Sequence, residues 1–592
     1  MATSIELKAN RNLINPNFEG YKLSLDKLPI YSTQVDNGTY SVTLTDEQFS
    51  YHHAKLFGIY NHLVKDPWNT NTVYLIDNDW NIRRAVGHDM SVVCGPIVYT
   101  IPDASNQQLV PGRCNARLHF LSADLAVVCD GSGQVFVVST GNRQENGTVT
   151  WKCLISRTLP EEKTPCLLID AVEFSKDENH KIECLLVHVI ESTPEQKDKY
   201  RSQYLTVLEW ITFTSVDRKS WTLDRTRQLL SRKPFSYACL SREGEAITVA
   251  GEADYVFTQD SEVPVVSDEE KEEENSGFVY LCCFKVQDLP DYTWHQTPED
   301  LSVQFTVAEG VTKGDIYLTM SYNRIDFGLK NKSALLKGNL CGEIDTESCT
   351  WTIEGRRVDL YLSKKTEGNW PLVVEGDTRG EMLAEPSEVT AIHERLASLT
   401  SEGWNPDPDK CEKPYNTQQL EECDMFPDDE SVLLHIDGNS HKVSQKIGLG
   451  SHQWLFNVDM GENSAPGICL RHDVDGLLWK QEENEESRWS HIATFNAFGY
   501  VQASKQQRKF SMSPPDYSYA AICDGSRHMY LYRQSIPVTT PLRNRKTGQQ
   551  VNAVAKQQVI SLDTTDDILG LQTMNDRLFV LTKDKLFMIK VG

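Results

Sequence analysis

Short runs of alternating apolar and polar residues recur along most of this chain, and they constrain its fold more than any other feature. Such period-two alternation is typical of β-strands that bury one face. One run follows another from about residue 71 to 259, and the same style returns from Val432 onwards. Turn dipeptides typical of β-hairpins separate many of the runs: Asn37-Gly38, Asp130-Gly131, Asn146-Gly147, Asp437-Gly438, Asp475-Gly476 and Asp524-Gly525. Because helical spacing is almost absent, we expect an all-β protein.

Two distant segments share one longer pattern. LAVVCDGSGQVFVVS, around Cys129, and YAAICDGSRHMYLYR, around Cys523, both read as an apolar strand, a Cys-Asp-Gly-Ser turn and a second apolar strand. A β-propeller repeats such hairpin-linked sheets as blades. The simplest architecture is one β-propeller built from residues 1–265 and 431–592, which the chain leaves and then re-enters. Two separate β domains are the alternative.

The interruption begins and ends with segments of different character. Residues 266–287 contain the acidic run SDEEKEEENSG, which predicts a disordered linker, and then the apolar run GFVYLCCFKVQ. That apolar run either ends the first domain or leads into the next one. Residues 381–430 form a helical and irregular return segment, with helices predicted from about Pro386 to Gly403 and from Asn416 to Cys423.

Between these segments, residues 288–380 are predicted to form an inserted β-sandwich. Three runs alternate apolar and polar residues, and glycine-containing gaps separate them at spacings suited to turns. The apolar positions of the runs are Leu301, Val303 and Phe305, then Ile316, Leu318 and Met320, then Val358, Leu360 and Leu362. We expect Leu301, Val303, Phe305 and Trp351 to belong to its core.

Aromatic and basic residues at the ends of these runs are the candidate contact residues. Trp294 and Trp370 lie at predicted strand ends, where a core role and an interface role are equally open. Lys364-Lys365 either attracts an acidic partner or protects an edge strand from aggregation. The candidate partner-binding set is Tyr292, Trp294, Gln296, Lys364, Lys365 and Trp370.

Composition excludes several classes of protein. The 592 residues carry a formal net charge of −25, which disfavours nucleic-acid binding by the whole surface. The first residues lack the apolar core of a secretory signal, and no run is long and apolar enough to span a membrane, so we expect an intracellular protein without membrane insertion. The 15 cysteines lack a C-x-x-C pair, and we expect most to be small buried hydrophobic residues.

The sequence shows no complete catalytic motif, so we expect no enzyme activity, no cofactor and no metal. No Gly-Lys dipeptide occurs, so a Walker A loop is excluded. Asp326-Phe327-Gly328 is interpreted as a strand-turn segment and His472 to Gly476 as a hairpin turn. His52-His53 is interpreted as a surface histidine pair, and Arg543, Arg545 and Lys546 as a solvated basic loop. A propeller hydrolase with carboxylates in the central channel stays a weaker alternative.

Several of these segments resemble the CS domain of the NudC family. The resemblance lies in YTWHQT at 292–297, in DLSVQFTV, in ESCTW at 347–351, and in VDLYLSKK with Trp370. Segments outside the module, such as NPNFEGYKLSLDKLP, LTSEGWNPDPDK and HIATFNAFGYVQASK, are also similar to one branch of that family. The acidic linker and GFVYLCCFKVQ have no counterpart.

This resemblance implies a non-enzymatic, co-chaperone-like adaptor with a sandwich of seven or eight strands. It implies that the CS domain binds and stabilises WD-repeat β-propeller clients, with a vesicle-coat subunit as one candidate, alongside a heat-shock chaperone. Cytoplasmic and nuclear residence is also implied. A scaffold centred on the propeller, with the CS domain as a regulatory module, is the alternative.

Overall fold

A computed structural model describes residues 3–265, 292–382 and 431–592, apart from 16–17, 19, 47, 103–111, 145–149, 159–163, 308–310, 331–333, 347, 355–356, 367, 369, 378, 450–451, 462–463, 483–484, 506 and 544–549. The chain divides into two compact units, one formed by Met1–Lys271 with Leu399–Gly592 and the other by Glu272–Ser398. The acidic linker, GFVYLCCFKVQ and the helices predicted after the module lie outside the described residues.

The N-terminal half of the first unit is almost entirely β-structure, as predicted. It opens with β1 (Thr3–Ile5), a 3-10 turn (Arg11–Leu13), β2 (Lys22–Leu23), β3 (Ile30–Gln34) and helix α1 (Tyr51–Gly58). Blade 1 contains β4 (Val64–Asp66), β5 (Asn69–Ile76), β6 (Asn81–Gly87) and β7 (Val92–Thr100), and blade 2 contains β8 (Arg117–Phe120), β9 (Leu125–Cys129), β10 (Gln134–Ser139) and β11 (Lys152–Thr158). Blade 3 contains β12 (Leu167–Lys176), β13 (Asn179–Glu191), helix α2 (Pro194–Tyr200), β14 (Tyr204–Ser215) and β15 (Thr222–Ser231). Blade 4 begins with β16 (Phe235–Leu240) and β17 (Ala246–Gly251), after which β18 (Val256–Asp260) returns to the outer edge of blade 3.

The second unit contains β19 (Tyr292–Gln296), β20 (Asp300–Thr306), a 3-10 turn (Lys313–Asp315), β21 (Ile316–Ser321), β22 (Arg324–Leu329), β23 (Ala334–Asn339), β24 (Thr350–Glu354), β25 (Arg357–Ser363) and β26 (Gly380–Met382). These eight strands form a five-stranded sheet in the order β24-β25-β20-β19-β26 and a three-stranded sheet in the order β21-β22-β23. The predicted core residues Leu301, Val303 and Phe305 are fully buried between the two sheets. The inserted sandwich is therefore confirmed.

The chain then completes the first unit. Blade 4 gains β27 (Val432–Asp437) and β28 (Val443–Gly448), and blade 5 contains β29 (Trp454–Val458), β30 (Gly467–His472), β31 (Asp475–Glu482) and β32 (Glu485–Phe495). After helix α3 (Phe498–Ala503), blade 6 contains β33 (Arg508–Met512), β34 (Tyr519–Asp524), β35 (His528–Arg533) and β38 (Lys556–Ser561), with the hairpin β36 (Ile536–Arg543) and β37 (Gln550–Val554) between its last two strands. Blade 7 contains β39 (Gly570–Thr573), β40 (Arg577–Leu581) and β41 (Lys585–Lys590).

Blade 4 shows that both halves of the chain build one propeller. Its strands β17 and β27 pair antiparallel, from Ala246 opposite Asp437 to Gly251 opposite Val432. Adjacent strands of one sheet thus come from opposite sides of the interruption, and the alternative of two separate β domains is wrong.

Hydrophobic contacts join every pair of neighbouring blades and close the ring. Separate buried clusters lie between blades 1 and 2, 2 and 3, 3 and 4, 4 and 5, 6 and 7, and 7 and 1. Between blades 5 and 6, Phe498 packs 5.4 Å from Phe456 and 5.9 Å from Tyr532, measured between ring centroids. Among the described residues the propeller therefore has seven blades.

The N-terminal segment supplies outer strands to blades that follow it in the chain. β1 pairs parallel with β28 of blade 4, and β2 pairs parallel with β38 of blade 6. β3 pairs antiparallel with β41, so blade 7 combines the two ends of the chain. This pairing holds the ring closed by backbone hydrogen bonds.

The repeated Cys-Asp-Gly-Ser segments occupy equivalent turns, between the second and third strands of blades 2 and 6. In blade 2 the Asp130 carboxylate accepts hydrogen bonds from the backbone N–H groups of Ser132 and Gln134, at 2.8 and 3.0 Å. Gly131 has a φ of +79°, and a Cβ there would lie 2.0 Å from the Cys114 carbonyl oxygen. The turn therefore requires glycine both for its backbone angle and for its close packing.

Three of the smaller motifs can be assigned. The hairpin turn after His472 is confirmed, because His472 pairs with Asp475 across it. Asp326-Phe327-Gly328 lies inside β22 rather than at a turn, and Phe327 is a fully buried core residue. The expected surface position of His52 is wrong, because α1 buries it and its Nδ1 lies 2.7 Å from Thr206 Oγ1. Arg545 and Lys546 of the predicted basic loop lie outside the described residues.

Candidate partner-binding site

The strand β19 holds three of the candidate residues, and its place in the sheet decides what they do. It lies between β20 and β26, so it is not an edge strand in the described module. Tyr292 and Trp294 point into the core and are 1% and 2% exposed. The Tyr292 ring packs 5.4 Å from Phe305, and Gly380 lies so close that a Cβ there would come within 2.1 Å of the ring. Both aromatic residues stabilise the sandwich and offer almost no surface to a partner.

Gln296, Lys364 and Trp370 come together in one hydrogen-bonded cluster. The Lys364 ammonium donates to Gln296 Oε1 at 2.8 Å, to the Thr297 carbonyl at 2.7 Å and to the Gly368 carbonyl at 2.5 Å. Gln296 also accepts from the Trp370 backbone N–H at 2.8 Å and donates to the Trp370 carbonyl at 2.9 Å. The cluster ties the end of β19 to the loop after β25. These hydrogen bonds give the three residues a structural role, and their predicted role as partner contacts stays a prediction.

The two adjacent lysines differ in exposure. Lys364 is buried, and its burial lowers its pKa. The negative charge of Asp300 offsets only part of this decrease. Lys365 is exposed and its Nζ lies 3.1 Å from Glu343 Oε2. Such a solvated pair contributes little to stability. Of the six candidate residues, Lys365 has the most surface available to a partner, and any contact made by the set stays a prediction.

The described module exposes apolar surface elsewhere, along its open edge, which we define as Leu318, Met320, Trp351 and Ile353. These side chains are only partly buried against the core. They lie on β21 and β24, the terminal strands of the two sheets. Phe327, which pairs with Leu318, lies 6.4 Å from the Trp351 ring, so both strands border the same side of the sandwich. Trp351 therefore belongs partly to the core and partly to this edge.

The periodicity of the sequence does not reveal this open edge. Apolar residues alternate on β21 and β24 as they do on the central strands, so all of them look equally buried. Only the strand order shows that these two strands lack a neighbour on one side within the described module. Unpaired strand edges and half-exposed aromatic residues are common features of protein interfaces.

Tyr361 marks the outer face beside the same edge. It is 43% exposed and lies on β25, opposite Thr350 of β24 and Ser302 of β20. Nearby, Arg357 Nε donates to both carboxylate oxygens of Asp359 at 2.9 Å. An exposed tyrosine on a polar sheet face can bury a large area in a complex while its hydroxyl stays hydrogen-bonded.

Two carboxylates lie on or next to the innermost strands of the propeller, β12 and β29. Asp170 Oδ1 lies 3.4 Å from His119 Nε2, and Asp459 Oδ2 lies 2.7 Å from Lys65 Nζ. Each carboxylate thus faces a basic group. Among all the residues that the structure describes, no group of three or more His, Cys, Asp and Glu side chains is placed to hold a metal ion. No helix in the described residues is long and apolar enough to cross a membrane.

Both units of the chain are similar to known proteins. The CS domain family model matches residues 290–364. The chain is 38% identical to NudC domain-containing protein 1 of Mus musculus and 37% identical to that of Xenopus tropicalis, in each case over 100% of this chain and 99% of the relative. The chain is also similar to the solution structure of the CS domain of human KIAA1068 protein, with 32% sequence identity and a TM-score of 0.15. That match covers 17% of this chain and 84% of the other.

Proposed function

The chain belongs to the family of NudC domain-containing protein 1, and we propose that it is a non-enzymatic, co-chaperone-like adaptor. Its CS domain binds WD-repeat β-propeller clients and stabilises them, and a vesicle-coat subunit is one candidate client. The proposal places the protein in the cytoplasm and the nucleus, where a heat-shock chaperone acts on the same clients. The observation that carries it is the open edge of the sandwich.

Three observations support a docking role for the open edge. Its four side chains are apolar and partly exposed, so covering them removes apolar surface from water. The backbone of an unpaired strand offers hydrogen bonds to a client strand. Tyr361 adds an exposed aromatic group on the adjoining face.

Two matched pairs of variants of the full-length protein test this docking surface. Met320→Lys places a charge on the open edge, and Thr319→Lys places the same charge at the neighbouring exposed position of β21, which faces the other way. Tyr361→Ala and Tyr322→Ala each remove one exposed tyrosine from the module, the first beside the open edge and the second at the β21–β22 turn. Affinity for a purified WD-repeat client is measured by isothermal titration.

We expect Met320→Lys and Tyr361→Ala each to weaken binding by about tenfold or more, as loss of an interface anchor does, while the two controls bind normally. Thermal melting identifies any variant that fails to fold. Equal binding by all four folded variants would refute the open edge as the contact. If a protein lacking residues 288–380 still binds and stabilises the client, the propeller-centred alternative replaces the proposal.

A further inference from the structure

A polar cavity lies between blades 3 and 4, at the end of the blades where β12 turns into β13 and β16 turns into β17. Its volume is about 60 Å³. Lys176, Lys181 and Asp224 line its blade 3 side, and Gly244 and Asn439 line its blade 4 side. The lining includes four basic and four acidic side chains, so it carries no net formal charge. The cavity as a whole therefore favours neither an anion nor a cation.

A buried ion pair between Glu183 and Arg227 forms the inner wall of this cavity. Arg227 is 2% exposed and Glu183 5%, and Arg227 Nη2 lies 2.6 Å from Glu183 Oε2. The same oxygen accepts from Trp210 Nε1 and from Thr212 Oγ1, at 2.8 Å each. Arg227 Nη2 also donates to Thr212 Oγ1 at 2.8 Å, and the guanidinium lies over the Trp210 ring, with Cζ 3.6 Å from its centroid. One oxygen of Glu183 and one nitrogen of Arg227 thus make all of these hydrogen bonds.

The other carboxylate oxygen, Glu183 Oε1, and the other terminal nitrogen, Arg227 Nη1, are left open. Neither has a hydrogen-bond partner among the described residues, and neither belongs to the fully enclosed polar atoms. Both residues line the cavity, so these two atoms face it. They are close neighbours, because each is joined through one carbon to an atom of the 2.6 Å contact. The cavity wall therefore offers one hydrogen-bond acceptor beside one donor.

These two open atoms select the kind of group that can bind. A carboxylate would oppose Glu183, and an ammonium would oppose Arg227. Burial already disfavours both charges, since desolvation raises the pKa of Glu183 and lowers that of Arg227 to about 10. A primary carboxamide is neutral and carries an acceptor oxygen beside a donor nitrogen, so it can pair with both atoms at once.

The size of the cavity agrees with such a group. A cavity of roughly 150 Å³ takes benzene, so a volume of about 60 Å³ takes a group of about four non-hydrogen atoms, the size of acetamide. The cavity opens to solvent beside Lys176 and Glu245, whose side chains are 46% and 44% exposed. A side chain on the surface of another protein can therefore reach it.

We propose that this cavity binds a primary carboxamide, whose oxygen accepts from Arg227 Nη1 and whose N–H donates to Glu183 Oε1. The group comes either from a free small amide or from an Asn or Gln side chain of a partner protein. The site involves propeller residues alone, so it is separate from the open edge of the CS domain.

The indole N–H of Trp210 reports binding directly, because it donates to Glu183. Full-length protein is labelled with ¹⁵N at its tryptophan indoles, and the Trp210 resonance is assigned by its loss in Trp210→Phe. Acetamide, acetate and methylammonium are titrated at constant ionic strength. We expect acetamide to shift this resonance saturably, with a Kd in the millimolar range that is usual for so small a ligand, whereas the two ions should not. Saturation transfer to the acetamide methyl group is a second measurement that needs no variant.

Two blocked amino acids distinguish the sources of the carboxamide. N-acetylasparagine methylamide and N-acetylglutamine methylamide present the group as a protein does. Tighter binding of either compound than of acetamide assigns the site to a protein side chain, and weaker binding of both assigns it to a free amide.

Glu183→Gln should change which ligand binds. Its side-chain oxygen must accept from Trp210, Thr212 and Arg227 as Glu183 Oε2 does, so its NH₂ group faces the cavity. The wall then offers two donors and has lost a negative charge, so acetate should bind better than acetamide. Glu243→Gln is the matched control, because it makes the same change at an exposed residue of the β16–β17 turn, and it should keep the preference for acetamide.

Two outcomes would overturn the proposal. The first is the absence of a saturable response of wild-type protein to acetamide, or an equal response to acetamide and acetate. The second is a folded Glu183→Gln protein that binds acetamide as wild type does, which would place the amide elsewhere. If Glu183→Gln does not fold, the comparison of acetamide with acetate on wild-type protein decides.

Discussion

Asp260 holds the two borders of the interruption together, and its replacement is the sharpest test of the propeller assignment. It ends β18, the last described strand before the chain leaves for the sandwich. Its carboxylate accepts from Arg225 Nε and Nη2 at 3.0 and 2.6 Å, and it lies 2.7 Å from His441 Nε2. His441 follows β27, the first strand after the interruption. Arg225 also donates to the Gly438 carbonyl at 2.9 Å.

The Asp260 carboxylate is fully buried and the Arg225 side chain is 8% exposed. Asp260→Asn keeps the shape and removes the charge, which leaves a buried guanidinium without its main partner. Breaking such a pair costs about 3–5 kcal/mol, a large part of a typical free energy of unfolding of about 5–15 kcal/mol. Glu262→Gln is the matched control, because Glu262 lies 3.6 Å from Arg225 Nε but is half exposed, and it should cost below about 1 kcal/mol.

Urea denaturation followed by tryptophan fluorescence measures both variants. Trp210 is a suitable reporter, since it packs 6.4 Å from Phe257 of the same strand β18. Desolvation raises the pKa of Asp260 in the fold. Hydrogen bonds from Arg225, from His441 and from the backbone N–H groups of Glu262 and Val263 outweigh this effect, so the net pKa is lowered. The contribution of Asp260 is therefore present above the unfolded-state pKa of about 4 and is lost only as pH falls further, so both variants are compared at one pH, pH 8. Equal destabilisation by the two variants would refute the reasoning.

Three other perturbations have definite expected results. Burial lowers the pKa of His188 to about 4, so the propeller should lose stability as pH falls from about 6.5 towards 4. His188→Leu should make the urea midpoint depend less steeply on pH in this range, and an unchanged pH dependence would contradict the prediction. Gly380→Ala should destabilise the sandwich by about 1–3 kcal/mol because its Cβ meets the Tyr292 ring. Gly314→Ala should not, because its Cβ would make only an ordinary contact with Thr312 Oγ1 at 3.7 Å, and equal melting temperatures of the two variants would contradict the close packing at Gly380. Deletion of residues 1–34 removes the outer strand of blade 7 and should increase backbone hydrogen exchange in β41, and unchanged exchange there would refute the closure by β3.

The candidate contact residues show where inference from the sequence reached its limit. The sequence left both a core role and an interface role open for Trp294, and the pairing of β19 with β26, from far along the chain, encloses it. A lysine is seldom buried. The burial of Lys364 depends on three oxygen acceptors, from Gln296, Thr297 and Gly368, whose convergence on its ammonium group cannot be inferred from the sequence. The exposure of the open edge was not predicted, because its strands show the same alternation of apolar and polar residues as the central strands.

Local patterns in the sequence determined the all-β class, the strand positions within the sandwich and the hairpin turns, because alternation and turn chemistry act between residues a few positions apart. They also indicated that the propeller is interrupted. Tertiary structure alone decided that β18 returns to blade 3, that β1 and β2 join blades 4 and 6, and that seven blades close through β3. These pairings join residues tens to hundreds of positions apart, and their selection depends on which apolar faces and free strand edges meet in space. Exposure, and with it the surface available to a partner, follows from that same long-range packing.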